Sequence, residues 1–229
     1  LLDESNRQAY LSGFTWILLL TLVSAVFSLV LGVILAAMRV SPIPVLRWAG
    51  SMWVQLFRNT PLTLIIFFCY FGLFSTLGFK VSNNITVNNF WLGVVGLSVY
   101  TAAFVCEAIR AGINSVPAGQ AEAARAIGLT FSQSLTMIVL PQAIRTTIAP
   151  LGSTLIALCK NTTIVGTIGV IEASTVMKDL INSNGDAVIE VFIMFAGTFA
   201  VVLIPTGYLF NWMSRRWALT RRQARLIRR

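Results

Sequence analysis

Charge is scarce in this sequence. Only 11% of its 229 residues are Asp, Glu, Lys or Arg, while 56% are hydrophobic; soluble domains carry about a quarter charged residues. With a mean hydropathy of +0.80, this shortage excludes an ordinary soluble domain. It indicates an integral membrane protein, counted as one domain over residues 1–229. Histidine is absent altogether, which removes the commonest metal ligand, and no metal site, nucleophile, redox centre or bound cofactor is expected. Cysteine is limited to Cys69, Cys106 and Cys159, each in or beside an apolar run. An odd, buried set reads as free thiols acting as small hydrophobes, not as a disulfide framework. No G-x-x-x-x-G-K-[ST] phosphate loop occurs, so the chain is not its own ATPase by that route. No two glycines stand at GxxxG spacing, and neither an internal repeat, a low-complexity tract nor a secretory signal is evident. The chain opens on Leu1 rather than Met, so residues are expected to precede it.

Long apolar runs are abundant. Residues 14–38 carry no charge and are long enough to cross about 30 Å of hydrocarbon with some tilt. Arg39 ends the run, and Pro42 and Pro44 mark a loop. Residues 61–79 read as a second span, followed by a polar, Asn-rich loop over 80–89. Residues 90–109 read as the third, with Glu107 and Arg110 able to pair at its end. Residues 138–159 read as the fourth, with Pro141 and Pro150 inside it, which membrane helices tolerate. Residues 164–171 are apolar but too short to span, so they are either re-entrant or a short helix over the outer mouth. Residues 191–214 read as the fifth. The expected fold is all-α, with about five transmembrane helices, a core over residues 14–214 and a basic tail over 215–229.

Five spans put the termini on opposite sides, and the positive-inside rule orients them. With the C-terminus in the cytoplasm, thirteen Lys and Arg lie inside and four outside. The net charge of +9 points away from nucleic acid, because seven arginines crowd the last fifteen residues beside a span. There they read as an anchor to anionic lipid, worth about 1 kcal/mol per residue near the surface. Trp16, Trp48, Trp53, Trp91, Trp212 and Trp217 read as interfacial-belt residues.

Between the third and fourth spans lies a polar, helix-friendly island, residues 118–141, placed by the topology on the cytoplasmic side. Pro117 sits near a helix start, with Ser115 as its N-cap. The Ala-rich segment 120–127 favours helix, and Glu122 and Arg125 share a face. Gly128 is placed to end that helix, and Thr130 and Gln133 have capping-box spacing for a second. The result is a helix–turn–helix, read either as a rigid coupling element or as an amphipathic helix on the membrane surface. Lys160 interrupts a long apolar region. It either faces a cavity, since a charge at mid-membrane costs roughly 2.5–3.5 kcal/mol, or ends the span and snorkels outward. Asn161, Thr162 and Thr163 compete for backbone hydrogen bonds, and broken helices at midplane are where transporters bind ligands. Arg58, Asn59 and Thr60 precede the second span, as an anchor and cap with Pro61 at the first helical position, or as ligand contacts.

Glu122-Ala123-Ala124, then Gly128 four residues on, then Ile138-x-Leu140-Pro141 after nine more resembles the EAA signature of ABC-importer permeases. The run from Ile113 to Gln120, Arg58-Asn59-Thr60-Pro61-Leu62 and Lys160-Asn161-Thr162-Thr163 are similar to the polar amino-acid branch of that family, with glutamate permeases nearest in character. The resemblance covers about residues 14–214. It implies a multi-pass protein of a prokaryotic inner or plasma membrane, N-terminus outside. It implies a second permease subunit, identical or related, two cytoplasmic subunits that bind ATP and Mg, and an extracytoplasmic binding protein. Glu122, Ala123, Ala124 and Gly128 would couple to the ATPases. Lys160, Asn161, Thr162 and Thr163, with Arg58, Asn59 and Thr60, would meet the substrate. That substrate is expected to be an acidic or amide amino acid, glutamate ahead of glutamine or aspartate. Lys160 can pair with a carboxylate, and no acid occurs between Arg125 and Glu172 to offset a cationic one. Two other readings remain at this stage: an ATP-independent secondary amino-acid transporter or channel, against which the missing intramembrane acids argue, and a membrane scaffold that recruits a soluble partner.

Overall fold

The computed structural model describes residues 3–218. Of the basic tail over 215–229, residues 219–229 lie outside the described residues, as does the side chain of Trp217, and so do the readings attached to them, while Arg215 and Arg216 fall in the last helix. Among the described residues there is helix and no strand.

Helix α1 (Glu4–Val40) begins where the Asp3 carboxylate accepts the Glu4 amide at 2.9 Å. It ends at Ser41, before Pro42, where the residue preceding proline is pushed out of the helical region. The next segment departs from the sequence reading. Pro44 does not mark a loop; it opens α2 (Pro44–Asn59) in the first turn, where its missing N–H costs nothing. α2 buries Val54 against Leu35 and Ala36 of α1 and against Ala102, Ala103 and Cys106. Trp53 packs beside that cluster, with its ring 4.6 Å from Phe57, so Trp53 serves packing between helices rather than an interfacial belt. α3 (Leu62–Phe67) continues as a π-helix over Phe68–Thr76 and turns 103° from α2 at Thr60-Pro61. The second crossing is therefore a bent pair, and Pro61 is the N-cap of α3, not its first helical residue.

α4 (Ile85–Asn114) is longer than the expected 90–109. The Asn84 side chain accepts the Thr86 and Val87 amides and fixes its start. α5 (Ala118–Ala126) and α6 (Phe131–Ser134) form the helix–turn–helix. A π-helical turn, Leu135–Val139, leads into α7 (Leu140–Asn161), which carries Pro150 within it. Residues 164–171 are neither re-entrant nor a separate outer helix. A tight 3₁₀ coil, Thr162–Ile168, prolongs the fourth crossing until Gly169 takes a positive φ of 87°. The sequence reading missed α8 (Ala173–Ser183); its apolar positions are too few to stand out as a span. α9 (Val188–Ala218) closes the bundle.

Contacts give the topology. Arg39, at the end of α1, pairs with Glu107, at the end of α4, and Trp16 lies 5.6 Å from Phe90 near both starts, so α1 and α4 run parallel. Gly93 faces Val165 and Gly112 faces Thr147, so α7 runs the other way. Tyr10 meets Phe195 edge-on at 5.0 Å and Gly152 faces Phe210, so α9 runs with α1. The start of α1 and the end of α9 thus lie at opposite ends of a bundle of up to five crossings among the described residues. Inside lipid no hydrophobic gain draws helices together, so close backbone approach at small residues must hold them. Gly32, Gly93, Gly112 and Gly152 each sit where an added methyl would strike a side chain of another helix. None of these contacts needs GxxxG spacing. The three cysteines are buried and free, as expected.

Candidate functional site

Two regions carry the expected site residues, one at each end of α7. The first is the α5–α6 turn. Ile127 is the C-cap of α5, and Gly128 follows with φ +93°. Its amide donates to Arg125 O at 3.0 Å, and the Leu129 amide donates to Ala124 O at 3.1 Å. This is the helix stop expected of Gly128, because a left-handed residue without a Cβ satisfies the last carbonyls. Thr130 and Gln133 form the full capping box on α6. Ser115 does not cap α5; it closes α4, and its hydroxyl donates to Gly112 O at 2.7 Å. The turn is clamped to the membrane helices: Gln142 donates to Gln120, Ser115 and Thr146 share a hydrogen bond of 2.9 Å, and Val116 packs on Val139 and Ala143. Ala124 is buried under this packing, while Glu122, Ala123 and Gly128 face outward. So do Ile127, 81% exposed, and Phe131. The turn thus exposes an apolar tip on a polar base.

The second region is the end of α7. The contacts of Gly112 with Thr147 of α7 and of Gly93 with Val165 of the 3₁₀ coil that follows fix the register of the antiparallel pair and put Lys160 opposite Ser98, at the middle of α4. The cation therefore sits at the end of α7 but level with the middle of α4. It is exposed in the single chain, on a stripe with Ser153 and Ala157. Next to it a cavity of about 420 Å³ is lined by Tyr100, Thr101 and Phe104 of α4 and by Ser153, Thr154 and Asn161 of α7. Its size suits a small ligand. Thr101 is buried, and its hydroxyl has no partner.

Of the expected substrate contacts, Asn161 lines this cavity and Lys160 flanks it. Thr162 is fully buried and donates to Cys159 O at 2.7 Å; Thr163 donates to Lys160 O at 2.8 Å. These two hydroxyls cap their own helix end and shape the break rather than face the cavity. Asn59 and Thr60 likewise donate to Gln55 O and Leu56 O, both at 2.8 Å, and close α2. Arg58 lies nearer the site, with its guanidinium 5.8 Å from the centre of the Phe104 ring. It also stands 3.6 Å from Glu107, which holds Arg110 at 3.3 Å and pairs with Arg39. The Glu107–Arg110 pair was legible from its spacing; the two arginines from other helices were not. Tyr100, Phe104, Ser153 and Thr154 were also missed. Their signal was faint: small hydroxyls and aromatics at i, i+4 spacing on one face of apolar helices.

Residues 28–219 match the family model described as "Binding-protein-dependent transport system inner membrane component". A glutamate transport system permease protein of Corynebacterium efficiens is 49% identical over 82% of this chain and 85% of its own length. A probable glutamine ABC transporter permease protein of Bacillus subtilis is 39% identical over 92% of this chain and 94% of its own. Among solved structures, an amino acid ABC transporter with histidines superposes with a TM-score of 0.82 at 29% identity, covering 92% of this chain and 94% of that one. The chain belongs to the family of binding-protein-dependent inner-membrane transport components, as a multi-pass permease of a polar amino-acid ABC importer.

Proposed function

We propose that this permease imports an acidic amino acid, glutamate first, and couples that step to ATP hydrolysis through the α5–α6 turn. The observation that carries the substrate is Lys160, a cation level with the middle of α4 beside a cavity lined by neutral Asn161 and hydroxyls. A carboxylate entering there gains a partner for a charge that lipid would otherwise penalise. Asn161, with both a donor and an acceptor, can hold either end of the zwitterion. Relatives named for glutamate and glutamine support the same choice. The working assembly is a pair of permeases, identical or related, two cytoplasmic subunits that hold ATP and Mg, and an external binding protein.

In this reading Glu122, Ala123 and Gly128 meet the ATPases, with Ile127 and Phe131 as the apolar contact; Ala124, expected to join them, is buried and seats the turn instead. Closure of the ATPases pushes the rigid turn and favours one of two states of the path. The arginine-rich end, with thirteen of seventeen basic residues, is cytoplasmic.

The test is to purify the permease with its partners and measure ATP hydrolysis against a panel of amino acids. Glutamate should stimulate most, glutamine and aspartate less, arginine least. Strongest stimulation by arginine would overturn the substrate, and uptake in ATP-depleted vesicles would favour the secondary-transporter reading. In sealed right-side-out vesicles, added protease should spare a C-terminal tag; cleavage would reverse the orientation.

A further inference from the structure

Glu107 stands among three arginines drawn from three helices. Arg39 of α1 is mostly buried and pairs closely with it; Arg110, one turn on in α4, binds its other oxygen at 3.3 Å. Arg58, the last but one residue of α2, is different. Its contact is the longest at 3.6 Å, its side chain is 45% exposed against 14% for Arg39, and its guanidinium lies over Phe104. Phe104 lines the mid-membrane cavity. One arginine therefore reaches both the carboxylate and the cavity wall. The cluster carries three cations for one anion, and the Arg110 Nε has no partner. Arg39 and Arg110 keep Glu107 neutralised whether or not Arg58 is present, so Arg58 can leave without stranding a charge.

We propose that Glu107 is a resident stand-in for the substrate carboxylate on Arg58, and that the arginines around it form a second anion station at the cytoplasmic end of the cavity. In the substrate-free state Glu107 holds Arg58. A carboxylate of the amino acid moves past Phe104, takes the guanidinium in its place, and is released when Glu107 returns. The step is an exchange of one carboxylate for another on a guanidinium; Glu107 offers Arg58 a single long contact of 3.6 Å, so a free carboxylate that can bind the guanidinium with both oxygens competes for it. No bond is made or broken. Repeated exchange keeps the ligand from settling, because conduction needs sites that are each weak enough to leave. The proposal rests on the reading of the chain as an importer of an acidic amino acid.

The test uses the complete transporter reconstituted with its ATPase subunits and binding protein, in vesicles with and without anionic lipid. Uptake of labelled glutamate is measured at saturating binding protein, with the label retained by the solubilised complex as a second readout. Arg58→Gln should lower maximal uptake about tenfold, one factor-of-ten step in affinity, and should lower retained label. Arg58→Lys should recover part of both. Glu107→Gln should also slow uptake but raise retained label, because Arg58 then has no competitor. Glu107→Asp, which keeps the charge on a shorter arm, should move retention the same way by less, and it guards against a Glu107→Gln chain that fails to fold. Opposite signs of retention support the station. Retention that falls in both Arg58→Gln and Glu107→Gln would make the cluster a structural strut and overturn the proposal, as would normal uptake by Arg58→Gln. A defect confined to vesicles with anionic lipid would assign these arginines to headgroup phosphates instead. If the wild type carries another amino acid, the substrate reading falls. The retention comparison, repeated with that amino acid, still decides the station, because every amino acid carries an α-carboxylate.

Discussion

The two ends of α7 break the solvent rule in opposite directions. At its start, the α5–α6 turn lies beyond the membrane helices and exposes apolar Ile127 and Phe131. At its far end, at mid-depth in the bundle, Lys160 and Ser153 are exposed and Asn161 lines the cavity. Both sites use the same device, a helix stopped by local hydrogen bonds. Gly128 and the Thr130 capping box end one helix and start another; Thr162 and Thr163 tie off the other through their hydroxyls. The difference lies in what the stop leaves outside. An apolar tip in water asks for a protein partner, and polar groups at membrane depth ask for a polar ligand or a second copy of the path. A single crossing thus joins the two regions through 22 residues of helix; on the proposed function it would link a docking face to a binding face.

The largest expected effect breaks the first site. Gly128→Val puts a β-branched residue at φ +93°, a conformation that costs about 1–3 kcal/mol. The close stop of α5 should fail, and substrate-stimulated ATPase and uptake should fall by about 5- to 150-fold, the usual range of a lost coupling term. Binding of the ATPase subunits, measured separately, should weaken too. Normal uptake by this variant would remove the turn from the mechanism and the comparison with it.

A second test breaks the far end and leaves the turn intact. Lys160→Gln, which removes a charge partner, and Asn161→Asp, which sets a like charge against the substrate carboxylate, should each lower glutamate uptake by about tenfold, one factor-of-ten step in affinity. ATPase subunit binding should stay unchanged. If both variants carry glutamate normally, Lys160 and Asn161 are not the selective site. Asn161→Asp should also narrow the gap between glutamate and arginine.

The smallest effect sharpens the contrast. Ile127 is 81% exposed, so Ile127→Ser should leave the thermal stability of the permease alone nearly unchanged, within about 0.5 kcal/mol. It should weaken association with the ATPase subunits by several-fold, as trimming an apolar contact does. A lowered melting temperature with unaltered association would mark Ile127 as part of the fold.

Much of this was legible in the chain. The near absence of charge required a membrane protein, and the runs at 14–38, 90–109 and 191–214 all lie inside observed helices. Capping chemistry is local, so Gly128 and the Thr130–Gln133 box were readable from a few residues. Those signals stay within one turn of helix, where neighbours in sequence are neighbours in space. The same locality misled at Ser115, which caps α4 from behind, and at Arg58, Asn59 and Thr60, which end α2 and do not start α3. α2 was lost because Pro42 and Pro44 read as loop punctuation when one of them opens a helix.

What the sequence determined by itself was the environment of the chain, the number of crossings, and the stops that shape its turns. Those follow from composition and from hydrogen bonds between residues a few positions apart. What only the tertiary structure decided was which polar groups meet. It set Lys160 opposite Ser98, joined Tyr100 and Phe104 to Asn161 around one cavity, and brought Arg39, Arg58 and Arg110 onto Glu107. In lipid no hydrophobic pattern announces such meetings. The helices are apolar on every side, and their register is set by where a glycine lets a neighbour's side chain come close.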